Sequence, residues 1–222
     1  MVETITPGPG ETFDIELEED LLRANNELAE QNRKLLDEHG ILGINVMGSI
    51  GTGKTTLISR LVRELGGSRV AVFTGDLTTT IDADLIGESG GKVVQINTGK
   101  ECHLDANLVK KALDRIDLDT TEILIIENVG NLICPAEFPL GAHRKLVLIS
   151  CTEGPHMVLK HPFIFREADV VSVNKIDMAE AMGLEVEKLE GDLAKVNPKA
   201  KAVRTNAREG LGMAELVAAL GL

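Results

Sequence analysis

The chain has 222 residues, a formal net charge of −12 at pH 7 and three cysteines, and it contains neither Trp nor Tyr. This length suits a single α/β domain with a complete core, whereas the acidic balance and the scattered Lys and Arg argue against a nucleic-acid ligand. No apolar run is long enough to span a bilayer, and the sequence begins without a signal-peptide pattern. We therefore expect a cytoplasmic protein with no membrane partner, whose cysteines are thiols.

The first 40 residues are predicted to precede the domain as a separate segment. Residues 1–13 contain two Pro-Gly pairs and are expected to be mobile. From 18 to 39, leucines recur at helical spacing among charged residues, and Gly40 stands where a C-cap would. This helix either packs on the domain, the usual fate of an amphipathic helix, or meets a partner. The chain is accordingly divided into an N-terminal segment, 1–40, and a single nucleotide-binding domain, 41–222.

Beyond residue 40, strand patterns alternate with helical patterns. Alternation with short connections predicts a mainly parallel sheet covered by helices on both faces, the three-layer α/β fold of P-loop NTPases. The predicted strands are 41–47, 69–74, 92–96, 121–127, 145–150, 169–174 and 201–205, and the predicted helices are 54–65, 79–88, 105–116, 184–196 and 212–220.

A glycine-rich segment after the first predicted strand has the phosphate-binding pattern G-x-x-x-x-G-K-[ST]. Glycines let the backbone curl so that N–H groups point at an oxyanion, and the helix that follows adds partial positive charge at its N-terminus. We expect Lys54 to neutralise β- and γ-phosphate oxygens and the Thr55 hydroxyl to bind Mg²⁺. The nucleotide-binding residues predicted here are Gly48, Ser49, Ile50, Gly51, Thr52, Gly53, Lys54, Thr55 and Thr56.

Two carboxylates stand at predicted strand ends beside this loop. Asp76 follows the second strand and Glu127 ends the fourth, positions at which an open α/β sheet presents ligand groups. Hard carboxylates suit Mg²⁺, so both are assigned to Mg²⁺ and, with Lys54, to catalysis, Asp76 being the candidate that orients the attacking water. The alternative is that either carboxylate only caps a turn or a helix. Gly130 has no Cβ, so its N–H can closely approach the γ-phosphate.

The segment Asn174-Lys175-Ile176-Asp177 follows the sixth predicted strand and indicates a guanine site. A carboxylate at Asp177 can accept hydrogen bonds from N1–H and the 2-amino group of guanine. Adenine offers no such donor pair, so the contact selects GTP or GDP over ATP. Asn174 and Lys175 are assigned to the same site. A weaker pattern after the last strand resembles a loop that holds the other edge of the base and comprises Thr205, Asn206 and Ala207.

Cys102, His103 and Cys134 lie in predicted loops and are candidate metal ligands. Thiolate and imidazole suit Zn²⁺ and Ni²⁺. Their spacing is not a closed metal motif and three ligands underfill a site, so the pattern alone leaves metal binding undecided. Two copies of the loop meeting across a two-fold axis would double the number of donors. Cys151 ends a predicted strand and is expected to be a core thiol.

Together these motifs resemble the HypB family, GTPases that help insert nickel into [NiFe] hydrogenase. The resemblance implies a SIMIBI-class domain that hydrolyses GTP, forms a homodimer when GTP binds and holds Ni²⁺ or Zn²⁺ at Cys102, His103 and Cys134 at the dimer interface. The implied partners are a zinc-containing HypA-type accessory protein and the hydrogenase large subunit. The segments that carry the resemblance are 48–55, 75–76, 97–105, 127–135 and 174–177.

Two departures from the family pattern matter. Residues 1–39 contain no Cys and a single His, so we expect no N-terminal metal store. Ser49 stands where some SIMIBI relatives carry a Lys that reaches across the dimer. A urease-type or other metal-centre accessory GTPase remains an alternative, as does a Zn/Ni buffer whose metal binding does not depend on GTP. A nucleotide kinase would share the phosphate loop but not the 174–177 motif.

Overall fold

The structure is a computed structural model that describes residues 15–76, 81–99 and 102–222, apart from the side chains of 15–18, 76, 81 and 82. The expected mobility of 1–13 and the expected role of the Asp76 side chain therefore lie outside the described residues. So do the first two residues of the helix predicted at 79–88.

Seven strands form one sheet in the described part of the chain. They are β1 (Leu42–Gly48), β2 (Val70–Asp76), β3 (Lys92–Asn97), β4 (Ile123–Glu127), β5 (Arg144–Ser150), β6 (Val170–Asn174) and β7 (Lys201–Arg204). The helices are α1 (Ile15–Glu38), α2 (Lys54–Glu64), α3 (Ile81–Gly87), α4 (Ala106–Leu113), α5 (Cys134–Glu137), α6 (Met157–Lys160), α7 (Pro162–Arg166), α8 (Val186–Val196) and α9 (Met213–Leu220).

The sheet has the order β3-β2-β4-β1-β5-β6-β7, and every neighbouring pair is parallel. The predicted fold class, a mainly parallel sheet flanked by helices with an added N-terminal helix, is confirmed. In register, Val46 of β1 pairs with Glu127 of β4, and Gly48 pairs with Leu148 of β5. The carboxyl ends of the central strands therefore meet at one edge, where an open α/β sheet binds its ligands.

The core lies on both faces of the sheet because successive strand side chains point to opposite faces. Ile44 and Val46 pack with Leu57 of α2 in the cluster on one face. Met47 belongs to a separate cluster with residues of α6, α7 and α8. Burial on both faces explains why these strands are near-continuous apolar runs.

Helix α1 packs on the domain, which resolves the alternative that the sequence left open. Leu36 is buried in a third cluster with Leu104, Val109 of α4 and Leu140. Within the described residues, no helix combines the length and the apolar character that crossing a bilayer requires.

Several element boundaries differ from those predicted. Helix α4 begins after Asp105, whose carboxylate caps it by accepting a hydrogen bond from the Leu108 amide at 2.7 Å, and it ends at Leu113 rather than 116. Three short helices, α5, α6 and α7, were not predicted. Pro135 and Pro162 stand in the first turns of α5 and α7, where proline is tolerated because those N–H groups have no helical partner.

Candidate nucleotide and metal site

The glycine-rich segment forms a tight loop between the end of β1 and the start of α2. Gly51 and Gly53 have φ values of 82° and 96°, a left-handed conformation that favours glycine. A Cβ on Gly53 would lie 2.7 Å from Nδ2 of Asn174. The loop therefore needs glycine at this position both for its backbone angle and for contact with the 174–177 motif.

Lys54 is held over this loop. Its Nζ donates to the carbonyl oxygens of Gly48 and Ser49, both at 3.0 Å, and the residue is buried. The Thr52 hydroxyl also donates to Ser49, at 3.0 Å. The ammonium group is thus fixed where the loop would surround an anion, and phosphate oxygens are strong acceptors for it.

Thr55 and Glu127 form a hydroxyl–carboxylate pair beside Lys54. The Thr55 hydroxyl donates to Oε1 of Glu127 at 2.9 Å, and Glu127 is buried at the end of β4. A hydroxyl and one carboxylate at the mouth of a phosphate loop fit Mg²⁺, which keeps several waters and takes few protein ligands. Asp76 ends β2, whose Thr74 pairs with Glu127, so the Asp76 backbone lies near this pair.

A cavity of about 600 Å³ opens above the loop. It is bordered on one side by Gly130, where a Cβ would lie 2.4 Å from Cγ1 and 3.1 Å from the backbone nitrogen of Ile50. The absence of a side chain thus lets the segment after β4 lie directly on the phosphate loop. The cavity lining includes Gly51, Gly53, Lys54, Thr55, Thr56, Glu127, Gly130 and Lys175.

Asn174 joins the guanine motif to both neighbouring segments. Its Nδ2 donates to the Thr52 carbonyl at 2.8 Å, and its Oδ1 accepts from the Thr205 hydroxyl and the Ala207 amide, each at 3.1 Å. All these contacts are buried, so each amide atom must keep its partner. The side chain therefore fixes the phosphate loop relative to 205–207.

Lys175 and Asp177 complete this motif. Lys175 has a φ of 58°, the one non-glycine residue with positive φ in the described chain, and its Nζ donates to the Gly51 carbonyl at 2.6 Å. Asp177 follows in an exposed 3₁₀ turn, Ile176–Met178. Asn206 is buried, and its backbone amide donates to the Leu211 carbonyl. The structure thus places Lys175 in the cavity lining and against the phosphate loop, whereas the Asp177 side chain is exposed to solvent.

Cys102, His103 and Cys134 converge from distant parts of the chain; Cys102 and His103 lie in a loop as predicted, whereas Cys134 is the first residue of α5. The sulfur atoms of Cys102 and Cys134 lie 2.9 Å apart without forming a disulfide, and Nδ1 of His103 is 3.7 Å from the Cys102 sulfur. One donor atom from each residue lies within 4.8 Å of the others. Bonds of about 2.0–2.3 Å to one ion place donor atoms within about 4.6 Å of each other. The cluster therefore fits Zn²⁺ or Ni²⁺ with small adjustments.

Two contacts that sequence reasoning missed position this cluster. The His103 ring stacks on Phe138, with centroids 3.9 Å apart and planes 26° apart. Asn131 pairs with Gly48 in an isolated antiparallel bridge, and its Nδ2 donates to the Cys134 sulfur at 3.3 Å and lies 3.5 Å from the Cys102 carbonyl. Asn131 therefore contacts the phosphate loop, the Cys134 thiol and the backbone of Cys102.

A buried amide forms a second link between the two sites. The side-chain Oδ1 of Asn128 accepts from the backbone amide of Leu104 at 3.1 Å. The backbone amide of Asn128 donates to the Val46 carbonyl of β1 at 2.9 Å. Leu104 directly follows His103, and a Cβ on Gly75 would lie 2.8 Å from it. The polar residues of the Glu-Asn-x-Gly-Asn segment were the sequence feature that could have revealed these links.

Cys151 lies outside the cluster. It is fully buried in the apolar core beneath β5 and β6. Burial raises the pKa of its thiol, and the nearby negative charge of Asp177 raises it further. The expectation of a core thiol agrees with this placement.

Comparison with known proteins identifies a matching family of nucleotide-binding domains. Residues 42–204 match the family model described as "CobW/HypB/UreG, nucleotide-binding domain". The chain is 48% identical over 190 residues to the "Probable hydrogenase maturation factor HypB" of Methanocaldococcus jannaschii, covering 85% of this chain and 86% of that relative.

Two solved structures share the fold closely. The crystal structure of the HypB hydrogenase maturation factor from Archaeoglobus fulgidus has a TM-score of 0.83 and 42% identity, covering 90% of this chain and 98% of that one. HypB from Helicobacter pylori, crystallised in complex with nickel, has a TM-score of 0.83 and 34% identity, covering 87% and 91% respectively. The family resemblance inferred from the motifs is confirmed.

The exposures of the cysteines predict two reactive thiols and one protected thiol. Cys102 is exposed and Cys134 half-buried, whereas Cys151 is buried with a raised thiol pKa. Because the thiolate is the nucleophile, a disulfide reagent at pH 8 should titrate two thiols at least about tenfold faster than the third. Denaturant should make all three react at similar rates. Three equally fast thiols in the folded protein would contradict the burial of Cys151.

Proposed function

Because the chain belongs to the CobW/HypB/UreG family of nucleotide-binding domains, we propose that it is a GTP-hydrolysing metallochaperone that supplies nickel during maturation of [NiFe] hydrogenase. The observation that carries the proposal is the contact between two sites. The Cys102–His103–Cys134 cluster adjoins the phosphate loop, and Asn131 contacts both. One relative is named as a probable hydrogenase maturation factor and another was crystallised with nickel, which supports hydrogenase maturation and nickel as the process and the metal.

The proposed nucleotide is GTP. Asp177 would accept the N1–H and 2-amino donors of guanine, while Asn174 holds the loops around the base in place. The backbone of 205–207, fixed by Asn174 and by the buried Thr205 hydroxyl, would border the other edge. A carboxylate that finds no donor pair on adenine supplies the discrimination.

Hydrolysis would depend on positioning and electrostatics, as phosphoryl transfer generally does. Lys54 would move its ammonium from loop carbonyls to β- and γ-phosphate oxygens. Thr55 and Glu127 would hold Mg²⁺, which when bound neutralises charge on the phosphates. Asp76, at the end of β2, is the proposed group that orients the attacking water, and the Gly130 amide the proposed contact to the γ-phosphate.

The cargo would be held by two thiolates and one imidazole. These donors suit Ni²⁺ and also Zn²⁺, and both thiols must lose a proton to bind. The stacking of His103 on Phe138 and the N–H···S contact from Asn131 would orient the donors. Binding should therefore release protons and weaken as pH falls.

A homodimer that forms on GTP binding is the proposed working state. Two large apolar side chains are exposed beside the two sites, Ile50 in the phosphate loop at 85% and Ile133 next to Cys134 at 59%. A second copy would cover them and, across a two-fold axis, bring a second set of Cys and His donors. A HypA-type accessory protein and the hydrogenase large subunit, in the cytoplasm, are the proposed source and recipient of nickel.

Replacing Asp177 by Asn tests the base assignment. Asn presents an amide donor to the guanine N1–H, so GTP affinity should fall at least about tenfold, the size expected for lost hydrogen bonds to a charged group. Xanthosine triphosphate, which offers an oxygen in place of the 2-amino group, should bind better than GTP. Competition against a fluorescent nucleotide measures both affinities, with Glu180→Gln on the same exposed segment as control. Unchanged GTP affinity in Asp177→Asn would remove the residue from the base site.

Single substitutions in the two sites should separate metal binding from nucleotide binding. Cys102→Ala and Cys134→Ala should each lower nickel affinity at least about tenfold, since each removes a ligand, and GTP hydrolysis should stay within about twofold. Lys54→Ala should instead impair GTP binding and hydrolysis and preserve nickel affinity, because it removes the main positive charge at the phosphates. Nickel titration followed by the thiolate charge-transfer band, together with GTP turnover, gives both readouts.

Cys151→Ala is the matched control, since it removes a cysteine outside the cluster and should preserve the charge-transfer band. Retention of wild-type nickel affinity by Cys102→Ala and Cys134→Ala would refute the metal site. Normal GTP binding by folded Lys54→Ala would refute the phosphate loop assignment.

A further inference from the structure

Helix α1 contacts the two chain segments that follow the Cys and His side chains of the metal cluster. Oδ1 of Asn25 accepts from the Ala106 amide at 2.8 Å, and its Nδ2 donates to the Pro139 carbonyl at 2.9 Å. Nδ2 of Asn32 donates to the Ala106 carbonyl at 2.8 Å and to the Leu140 carbonyl at 3.2 Å. Each asparagine therefore bridges the segment after His103 to the segment after Cys134.

The two asparagines are buried on one face of the helix. Asn25 is 6% exposed and Asn32 1% exposed, and a spacing of seven residues repeats the same helical face. A buried amide without partners would be strongly unfavourable, so each side chain constrains the groups that it contacts. Since each contacts both segments, α1 fixes the separation between them.

Close backbone packing adds to this constraint. Gly141 has a φ of 95°, and a Cβ there would lie 2.6 Å from the Ala29 carbonyl and 2.7 Å from Cβ of Asn32. Nε of Arg33 donates to the Gly141 carbonyl at 2.8 Å, and its Nη2 donates to the carbonyl of Ala142. The segment after Cys134 thus lies directly against the backbone of α1.

The other segment is held through the core. Leu36 of α1 packs in one cluster with Leu104, the residue that follows His103, and with Leu140. The Leu104 amide is also bound by Asn128. A displacement of α1 would therefore move the Cys102-His103 loop and the Cys134 segment relative to each other.

We propose that Asn25 and Asn32 are positioning residues for the metal cluster, and that α1 sets the distance between the Cys102-His103 pair and Cys134. This inference rests on the proposed metal-binding function of that cluster. It goes beyond that function because it makes metal affinity depend on a helix that contributes no ligand. By linkage, metal binding must then stabilise the docking of α1 by the same free energy.

Substitutions at the two asparagines test the inference in the full chain. Asn25→Ala and Asn32→Ala should each weaken nickel binding by about tenfold, the low end of the range for partners outside the ligand shell, and should shift or weaken the thiolate-to-nickel charge-transfer band. Affinity for a GTP analogue should stay within about twofold of wild type. Asn26→Ala, on the exposed side of the same helix turn, should leave both readouts unchanged.

Asn25→Asp separates the two contacts. Its carboxylate still accepts from the Ala106 amide but cannot donate to Pro139, so only the Cys134 side is released. We expect nickel affinity below that of wild type, because the buried carboxylate faces the Pro139 carbonyl oxygen without a hydrogen to share. If the two asparagines only stabilise the fold, the variants should have lower thermal stability but an unaltered thiolate-to-nickel charge-transfer band and nickel affinity. That outcome in the folded variants would overturn the inference, while absence of the band from the wild-type protein would overturn the proposed function and the inference with it.

Hydrogen exchange of the wild-type protein covers the case in which a variant does not fold. Nickel should slow exchange in peptides from 22–36 and 104–108 but not in α8, which packs elsewhere. Unchanged protection of α1 at saturating nickel would overturn the inference without any substitution.

Discussion

The pairing of Asn131 with Gly48 is the contact on which the proposed mechanism depends. It places the segment that follows β4 against the first residue of the phosphate loop, and the same side chain donates to the Cys134 sulfur. Only three residues separate Gly130, packed on Ile50, from Cys134. A change in phosphate occupancy that moves this segment must therefore move a thiolate, which is how GTPase loops convert nucleotide state into altered binding elsewhere.

Hydrogen bonds hold the phosphate loop on one side of this contact and the thiol-bearing segments on the other. Asn174 ties the phosphate loop to the 205–207 segment, so a shift of the loop relative to that segment would break these hydrogen bonds. On the other side, Asn25 and Asn32 hold the two thiol-bearing segments against α1. The 127–134 segment thus lies between the phosphate loop, which Asn174 holds, and the segments that α1 holds. A chain segment that contacts both sites and is held at each end supplies a physical path for coupling them.

Much of this arrangement was predictable from sequence because it depends on local pattern. Two motifs, 48–55 and 174–177, each directly follow a predicted strand. In an open α/β sheet this places both at the edge where the carboxyl ends of the strands meet. The sequence could not predict contacts that join distant segments: Asn32 and Leu140 are 108 residues apart in the chain. Nor could it predict that His103 stacks on Phe138, since neither residue type specifies the other. The short helices α5 to α7 were missed because tertiary contacts, rather than periodicity, stabilise elements of four or five residues.

The most direct test of the account is nickel affinity in two nucleotide states, measured at one pH and one protein concentration. If the 127–134 segment couples the sites, a non-hydrolysable GTP analogue should change nickel affinity by at least about fivefold relative to GDP, about 1 kcal/mol of coupling. Nickel must then change the affinity for the GTP analogue relative to GDP by the same factor. Equal nickel affinity in both states would contradict the coupling and leave a nucleotide-binding protein that binds metal passively.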